Sequence, residues 1–259
     1  MPVECEVVPL IRGLLKSDIR RDERVLRWFE PSAALAPFVQ RIWSAQWRIP
    51  AGEQRLQPIL PYPSANLVLG QATAEILGVV TQAAIQRLEG AGSAFGAKLQ
   101  PGALRAFGVE RPSLLRDRSA PAADLLGGPP LRRTSEDPEA IAREIENYLL
   151  AHAPKHDVLS LKAREIVEVA ENDREIVSVT KLASALALSV RSVQNICQRA
   201  LGVSPKWLIR CFRLQDALAR LDVDSDANLS ALAQELGYFD QAHFTKDFKQ
   251  VTGVSPGRY

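Results

Sequence analysis

Polar and basic side chains recur at helical spacing along two short stretches in the last third of the chain. The first stretch carries Arg191, Gln194, Asn195 and Gln198, and the second carries Gln241, Ala242, Thr245, Lys246 and Lys249. Amide and guanidinium groups form paired hydrogen bonds with the edges of adenine and guanine. A solvated helix surface has a similar composition, so one stretch alone does not separate base recognition from an ordinary polar face.

The two stretches belong to an internal repeat. Gly202-Val203-Ser204-Pro205 returns 51 positions later as Gly253-Val254-Ser255-Pro256, whereas Leu182-Ala183 returns 50 positions later as Leu232-Ala233. The displacement changes because the second copy has one extra loop position near Phe239. A repeat of this length indicates a supersecondary unit built twice. Two units at a fixed separation favour a ligand that itself repeats, and duplex DNA is such a ligand.

Each copy predicts a helix, a tight turn and a second, capped helix, which is the order of a helix-turn-helix. Ser189 and Asp240 stand at the cap positions of the two second helices. Between the copies, Ser204-Pro205 predicts the start of a helix over 205–221, 17 residues, or about 25 Å. Recognition helices at its two ends would lie roughly 34 Å apart, one turn of B-DNA. We therefore expect one chain to reach two successive major grooves.

The distribution of strand-like and helix-like patterns along the chain predicts an α+β protein in two parts. Residues 1–130 read as a β-rich α+β domain with strands near 40–49, 66–69 and 76–80 and a short helix over 103–109. Residues 131–157 read as a helical linker that starts at Asp137-Pro138 and ends near Ala153-Pro154, although an ordinary helix of the first domain fits equally well. Residues 158–259 read as an all-α domain of two helix-turn-helix units joined by a long helix.

Charge is patterned along the chain although the net charge is only +2. Residues 176–215 contain no acidic residue and six basic ones, whereas 216–240 contain six acidic residues against Arg220. A basic segment of this kind suits phosphates. The three cysteines, Cys5, Cys197 and Cys211, match no disulfide or metal framework, and we expect the last two in the core of a cytosolic protein. No apolar stretch approaches a membrane span, and Arg12, Lys16 and Arg20 break any signal-peptide pattern.

An enzyme is a poor interpretation of this sequence. There is no Gly-x-Ser-x-Gly elbow, no Walker-type loop and no pair of histidines at metal spacing, and the histidines are His152, His156 and His243. We expect no catalysis, no metal and no cofactor. A second rival to DNA binding is an interaction module whose basic face binds an acidic protein.

Residues 158–259 resemble the DNA-binding domain of the AraC/XylS family of bacterial transcription regulators. The matching text is Leu182-Ala183, Ser189-x-Arg191-x-Val193-Gln194, Gly202-Val203-Ser204-Pro205, Arg213-Leu214-x-x-Ala217, Gly237-Tyr238-x-Asp240-Gln241-x-His243-Phe244, Phe248-Lys249 and Gly253-Val254-Ser255-Pro256. The resemblance implies a bipartite helical domain that regulates transcription, usually as an activator that contacts RNA polymerase.

The resemblance also implies contacts residue by residue. By position, the base-contact candidates are Arg191, Gln194 and Asn195 in the first copy and Gln241, Ala242, His243, Thr245 and Lys246 in the second. By charge and position, the phosphate candidates are Arg199, Lys206, Arg210 and Lys249. The family usually has an arginine at the position of Asn195 and a large aromatic residue at that of Cys197. We therefore expect the second copy to bind DNA more strongly than the first.

The first domain resembles an N-terminal domain of some members of the family. The matching text is Pro37-Phe38-Val39-x-x-Ile42-Trp43, Leu60-Pro61, Asn66-Leu67-Val68-Leu69 and Gly96-Ala97-Lys98-Leu99-x-Pro101-Gly102. The resemblance implies a domain that senses a small-molecule effector or forms a homodimer. Aromatic residues that could line an effector pocket are Trp28, Phe38, Trp43, Trp47 and Tyr62, although each also suits a β-rich core. The alternative is a ligand-independent regulator whose first domain only dimerises or binds a protein.

Overall fold

The computed structural model describes residues 19–70, 72–152, 154–224 and 227–259. Cys5, Arg12, Lys16, Ala153 and the acidic Asp226, on which parts of the sequence interpretation rest, lie outside these residues. The α+β prediction is confirmed, with a strand-rich N-terminal part followed by a helical C-terminal part.

The N-terminal part contains two antiparallel sheets. In the described residues the strands are β1 (Arg24–Phe29), β2 (Val39–Arg48), β3 (Gln54–Ile59), β4 (Asn66–Leu69), β5 (Ala74–Leu77), β6 (Ala84–Glu89), β7 (Ala91–Leu99) and β8 (Ser119–Pro121). Six of them form one sheet in the order β1-β2-β7-β4-β5-β8, while β3 and β6 pair separately. Two short 3-10 turns, Ala103–Arg105 and Pro112–Leu115, lie between β7 and β8.

Alternation along β7 explains the two faces of the large sheet. Phe95, Ala97 and Leu99 point into the core of the first domain and are at most 1% exposed. The opposite face is glycine-rich, and a Cβ on Gly92 or Gly96 would lie 2.4 Å from the Trp47 ring or 2.6 Å from the Trp43 ring. The rings of Trp47 and Trp43 therefore pack against Gly92 and Gly96, where any larger side chain would collide with them.

Two helices complete the first domain, α1 (Ala122–Leu126) and α2 (Pro138–Ala151). The Asp137 carboxylate caps α2 by accepting a hydrogen bond from the Ala140 amide at 3.0 Å, as the sequence predicts. Ile141, Ile145 and Leu149 are fully buried in the core that contains Phe95 and Ala97. Of the two interpretations that the sequence allowed for this helix, the packing of α2 fits an ordinary helix of the first domain.

The C-terminal part is helical, and its helices follow the order predicted for two helix-turn-helix units joined by a long helix. The helices are α3 (Val158–Asn172), α4 (Val179–Ala185), α5 (Val190–Ile196), α6 (Pro205–Val223), α7 (Leu229–Glu235) and α8 (Gln241–Thr252), with a π-helical turn over Cys197–Leu201 after α5 and a 3-10 turn over Pro256–Arg258. Side chains of Ser178, Ser189, Ser204, Asn228 and Asp240 cap α4 to α8 in turn. The connecting helix α6 has 19 residues, two more than predicted.

Two further sequence-based boundaries differ from the structure. The strand predicted over 76–80 ends at Leu77, because Val79 leaves the sheet and packs into the core around α5 and α6. The helix predicted over 103–109 is a single 3-10 turn, Ala103–Arg105. In the described residues no helix has the length and apolar character needed to cross a membrane.

Candidate nucleic-acid interface

Helix α8 presents the predicted polar face of the second repeat. Phe244 and Phe248 are fully buried and stack edge to face with ring centroids 5.6 Å apart, so the orientation of the helix is fixed. The Asp240 carboxylate accepts a hydrogen bond from the His243 amide at 2.7 Å. The exposed residues of α8 include Gln241, Ala242, His243, Lys246 and Lys249, and Thr245 is half-buried.

Helix α5 presents the corresponding face of the first repeat. The Ser189 hydroxyl accepts a hydrogen bond from the Ser192 amide at 3.0 Å. The exposed side chains are those of Arg191, Gln194, Asn195, Gln198 and Arg199, and the buried ones are those of Val193, Ile196, Cys197 and Ala200. Both recognition helices therefore leave their predicted base-contact residues accessible, and base contact itself stays a prediction.

Cys197 is a core residue. Its side chain is fully buried, and Leu201 and Trp207 pack in the same apolar cluster. Burial raises the pKa of the Cys197 thiol to about 12, and it does the same for Cys211. Both thiols are therefore protonated at neutral pH, which suits packing rather than redox chemistry.

The four phosphate candidates fall into two groups. Arg199, Lys206 and Lys249 are exposed. Arg210 is only 26% exposed, and its Nη1 lies 3.1 Å from Gln250 Oε1 and 3.7 Å from Asp247 Oδ1. Because Gln250 and Asp247 belong to α8, Arg210 ties α6 to the second recognition helix. The phosphate contact expected of Arg210 stays a prediction, and in the structure its side chain also positions α8.

A cation–π pair that the sequence did not reveal supports the turn of the second unit. The Arg213 guanidinium of α6 lies 3.9 Å from the centroid of the Tyr238 ring. Burial lowers the pKa of Arg213 and raises the pKa of Tyr238 to about 12. The pair holds the turn before α8 against the connecting helix. The one sequence feature that could have indicated this pair is an arginine on the side of α6 that is otherwise mostly apolar.

The five aromatic residues assigned to an effector pocket do not line one cavity. Trp28 and Trp43 are direct partners across β1 and β2, and Trp47 lies on the same face of β2. Phe38 instead packs in the first core, where its ring lies 5.3 Å from that of His156. Tyr62 lies at the boundary between the domains, where its hydroxyl donates to Glu171 at 3.1 Å. Only the three tryptophans share a surface.

A polar cleft of about 990 Å³ borders Trp47 at one end of the large sheet. Its basic lining residues are Arg24, Arg48 and Arg133. Arg133 is already engaged, since it donates to Ser93 Oγ at 2.8 Å and lies over the Phe95 ring. The cleft contains no group of side chains suited to a metal, and none occurs elsewhere in the described residues.

The N-terminal domain contacts the connecting helix α6 through main-chain carbonyls. Trp207 Nε1 donates to Thr81 O at 3.1 Å. Gln215 Nε2 and Cys211 Sγ donate to Pro61 O at 2.9 Å and 3.3 Å. Leu60 and Val79 of the first domain lie in the apolar clusters of the second and first helix-turn-helix units. These contacts were not predicted from the sequence.

The N-terminal domain also contacts the C-terminal ends of both recognition helices. The Ala83 amide donates to Val251 O in the last turn of α8 at 2.9 Å. Arg116 Nη1 donates to Gly202 O, just beyond the π-helical turn that follows α5, at 3.4 Å. Neither contact covers the exposed polar faces of α5 and α8.

Two families match separate parts of the chain. Residues 182–259 match a family described as a helix-turn-helix domain, and residues 27–121 match a domain of unknown function, DUF6597. The first match covers both repeats, and the second runs from the second half of β1 to the end of β8. One matched segment lies in the strand-rich part of the fold and the other in the helical part.

Relatives that match part of the chain are named as transcriptional regulators. An uncharacterised HTH-type transcriptional regulator of Haemophilus influenzae is 29% identical over 134 residues, which are 47% of this chain and 44% of that protein. The regulator YisR of Bacillus subtilis, also uncharacterised, is 30% identical over 117 residues, 43% of this chain and 40% of that protein. The chain therefore spans less than half the length of these relatives. A solved structure of a probable AraC family transcriptional regulator from Rhodopseudomonas palustris is 27% identical and covers 37% of this chain and 90% of its own, with a TM-score of 0.33.

Proposed function

We propose that this chain, whose C-terminal part is an AraC-type helix-turn-helix domain, is a sequence-specific DNA-binding transcription regulator of a bacterial cytoplasm. It reads two successive major grooves with α5 and α8. It has no catalytic role in this proposal. Activation through contact with RNA polymerase is the expected mode of regulation.

The observation that carries the proposal is the matched exposure of the two recognition helices. In α8 the aromatic side of the helix is fully buried, and Gln241, Lys246 and Lys249 remain accessible. In α5 the same division leaves Arg191 and Gln194 accessible. Side chains of these types at the N-terminal half of a capped helix suit the edges of bases in a major groove.

The length of α6 supports simultaneous contact with two grooves. Its 19 residues correspond to about 28 Å at 1.5 Å per residue. A separation of this order suits recognition helices one turn of B-DNA apart. Ties such as Arg210 to Asp247 on α8 would keep the spacing constant.

Control by the N-terminal domain has two candidate forms. The half-buried surface of Trp28, Trp43 and Trp47 favours a small apolar effector. The contacts of Thr81, Ala83 and Arg116 with the DNA-binding domain would carry an effector's influence to both recognition helices. The alternative is a ligand-independent regulator in which the first domain only dimerises or binds a protein.

A binding selection with the full chain tests the proposed function. Purified protein is incubated with duplexes of random sequence, bound duplexes are enriched, and the affinity for the enriched duplex is measured between 50 and 200 mM salt. We expect one sequence class to emerge and log affinity to fall linearly with log salt, with several counterions released. An unenriched pool, or an affinity independent of salt, would favour a module that binds an acidic protein.

A further inference from the structure

The turn before α8 contains one residue that the turn before α5 lacks. In the first unit the Leu188 amide donates to Ala183 O at 2.9 Å, and in the second the Tyr238 amide donates to Ala233 O at 2.9 Å. Leu188 and Tyr238 are therefore equivalent. Ser189, the cap of α5, follows Leu188 directly, whereas Phe239 stands between Tyr238 and the cap Asp240. Phe239 is the inserted residue.

Phe239 has no packing role in the turn. It is 92% exposed, more than any other large apolar residue in the described part of the chain. The preceding Tyr238 is buried and already closes the turn against α6. The first unit closes its turn without a counterpart of Phe239. An exposed phenylalanine forgoes the free energy of burying its ring within the chain, so the ring is free to gain that energy against a partner.

The surroundings of Phe239 match the chemistry of a base edge. It directly precedes the N-terminal turn of α8, the end of a recognition helix that faces bases. Ala242, also exposed, lies in the same first turn, and Gln241 stands beside it. Apolar side chains such as Phe and Ala recognise the 5-methyl group of thymine, and Gln pairs with adenine. Lys246 and Lys249 on the same helix bring the positive charge that a DNA duplex requires.

We propose that Phe239, together with Ala242, reads the 5-methyl group of a thymine in the groove occupied by α8. The proposal rests on the proposed function and adds a residue and a base feature to it. The inserted position gives the second unit an apolar contact that the first unit lacks. The thymine methyl would bury against the ring, and the ring would lose its contact with water.

The proposed contact is tested by removing each partner separately and both together. Deoxyuridine in place of thymine removes the methyl group, and Phe239→Ala removes the ring. The duplex enriched by the full chain is prepared with deoxyuridine in place of each thymine in turn, and affinities are measured for the wild type and for Phe239→Ala. We expect one position at which deoxyuridine weakens wild-type binding about fourfold, the effect of one buried methyl group. The same replacement should change the affinity of Phe239→Ala less than twofold.

Two controls separate this contact from other effects. Val223→Ala removes another highly exposed apolar side chain from the end of α6, and it should keep the wild-type ratio between thymine and deoxyuridine. Because Phe239 is exposed, Phe239→Ala should unfold at the wild-type temperature.

The outcomes distinguish this proposal from the function on which it rests. An equal thymine-to-deoxyuridine ratio in the wild type and Phe239→Ala overturns the methyl contact while DNA binding stands. Unchanged DNA binding with lost activation of a reporter also overturns it and assigns Phe239 to a protein partner. A pool with no enriched duplex overturns the proposed function itself.

Discussion

At the scale of single residues, the two glycines of the repeated Gly-Val-Ser-Pro phrase have different surroundings. Both lie in the left-handed region, Gly202 with φ 76° and Gly253 with φ 82°. A Cβ on Gly202 would lie 2.7 Å from Ser113 Cα and 2.9 Å from Ser113 N, whereas a Cβ on Gly253 would meet no atom within 4 Å. The first copy of the phrase is therefore pressed against the N-terminal domain and the second is open.

Alanine at each glycine separates the contact between the domains from the cost of the backbone conformation. Gly253→Ala should lower the free energy of unfolding by about 1–2 kcal/mol, the penalty for a left-handed alanine. Gly202→Ala carries the same penalty and should lose roughly 1–3 kcal/mol more, because its Cβ forces the Pro112–Leu115 turn away. Urea unfolding monitored by circular dichroism gives both values. Equal losses would mean that the first unit does not depend on this contact.

The role of a residue within its own helix could be predicted from the sequence. The role of a residue that depends on a partner in another helix could not. The caps Asp137, Ser189 and Asp240 act on amides three residues away, so their role can be read from neighbouring letters. Arg210 has the charge of a phosphate contact, yet its partner Asp247 lies on another helix. The sequence shows that Arg210 carries a positive charge but not which acidic side chain pairs with it.

At the scale of elements, the two recognition helices differ in what they offer to DNA. Helix α8 combines an amide, two lysines and a fully buried aromatic side. Helix α5 has Asn195 where the family usually has an arginine, and Cys197 where it has an aromatic residue. Cys197 is buried in the same apolar cluster as Leu201 and Trp207, whereas position 195 has no cation.

Alanine substitutions rank the two helices. Gln241→Ala and Lys246→Ala should each weaken binding to the selected duplex by roughly 1–3 kcal/mol if they are base contacts. Asn195→Ala should cost less than either, because a neutral amide replaces the usual arginine. Lys162→Ala on α3, exposed and outside both recognition helices, is the matched control for lost charge. Mobility-shift titration measures all four, and a greater loss for Asn195→Ala would reverse the ranking.

Elements with strong local signals were predictable, and weakly patterned strands were not. The helices α3 to α8 have caps and apolar stripes, and each was expected. Strand β6 shows no alternation of buried and exposed residues, since five of its six residues are exposed. A strand without alternation has no period that sequence reasoning could detect. Helix α2 was expected from Asp137-Pro138, but its place in the first core depends on strands that are distant in sequence.

At the scale of the whole molecule, the N-terminal domain holds the two helix-turn-helix units together. It contacts α6 through Pro61 and Thr81 and the end of α8 through Ala83. These acceptors and donors are mainly main-chain groups, separated from their partners by 126 residues for Thr81 and 154 for Pro61. Main-chain groups have no side-chain signature, so the sequence could not predict an interface built from them.

The central claim is that one chain reads two successive major grooves, and protection of guanine N7 from methylation on the selected duplex tests it most directly. Protein is titrated to one chain per duplex, and reactivity is mapped along both strands. We predict two protected major-groove patches about 10 base pairs apart, with Lys246→Ala weakening protection of only one. A single protected patch at this stoichiometry, or two patches only when two chains are bound, would contradict the claim.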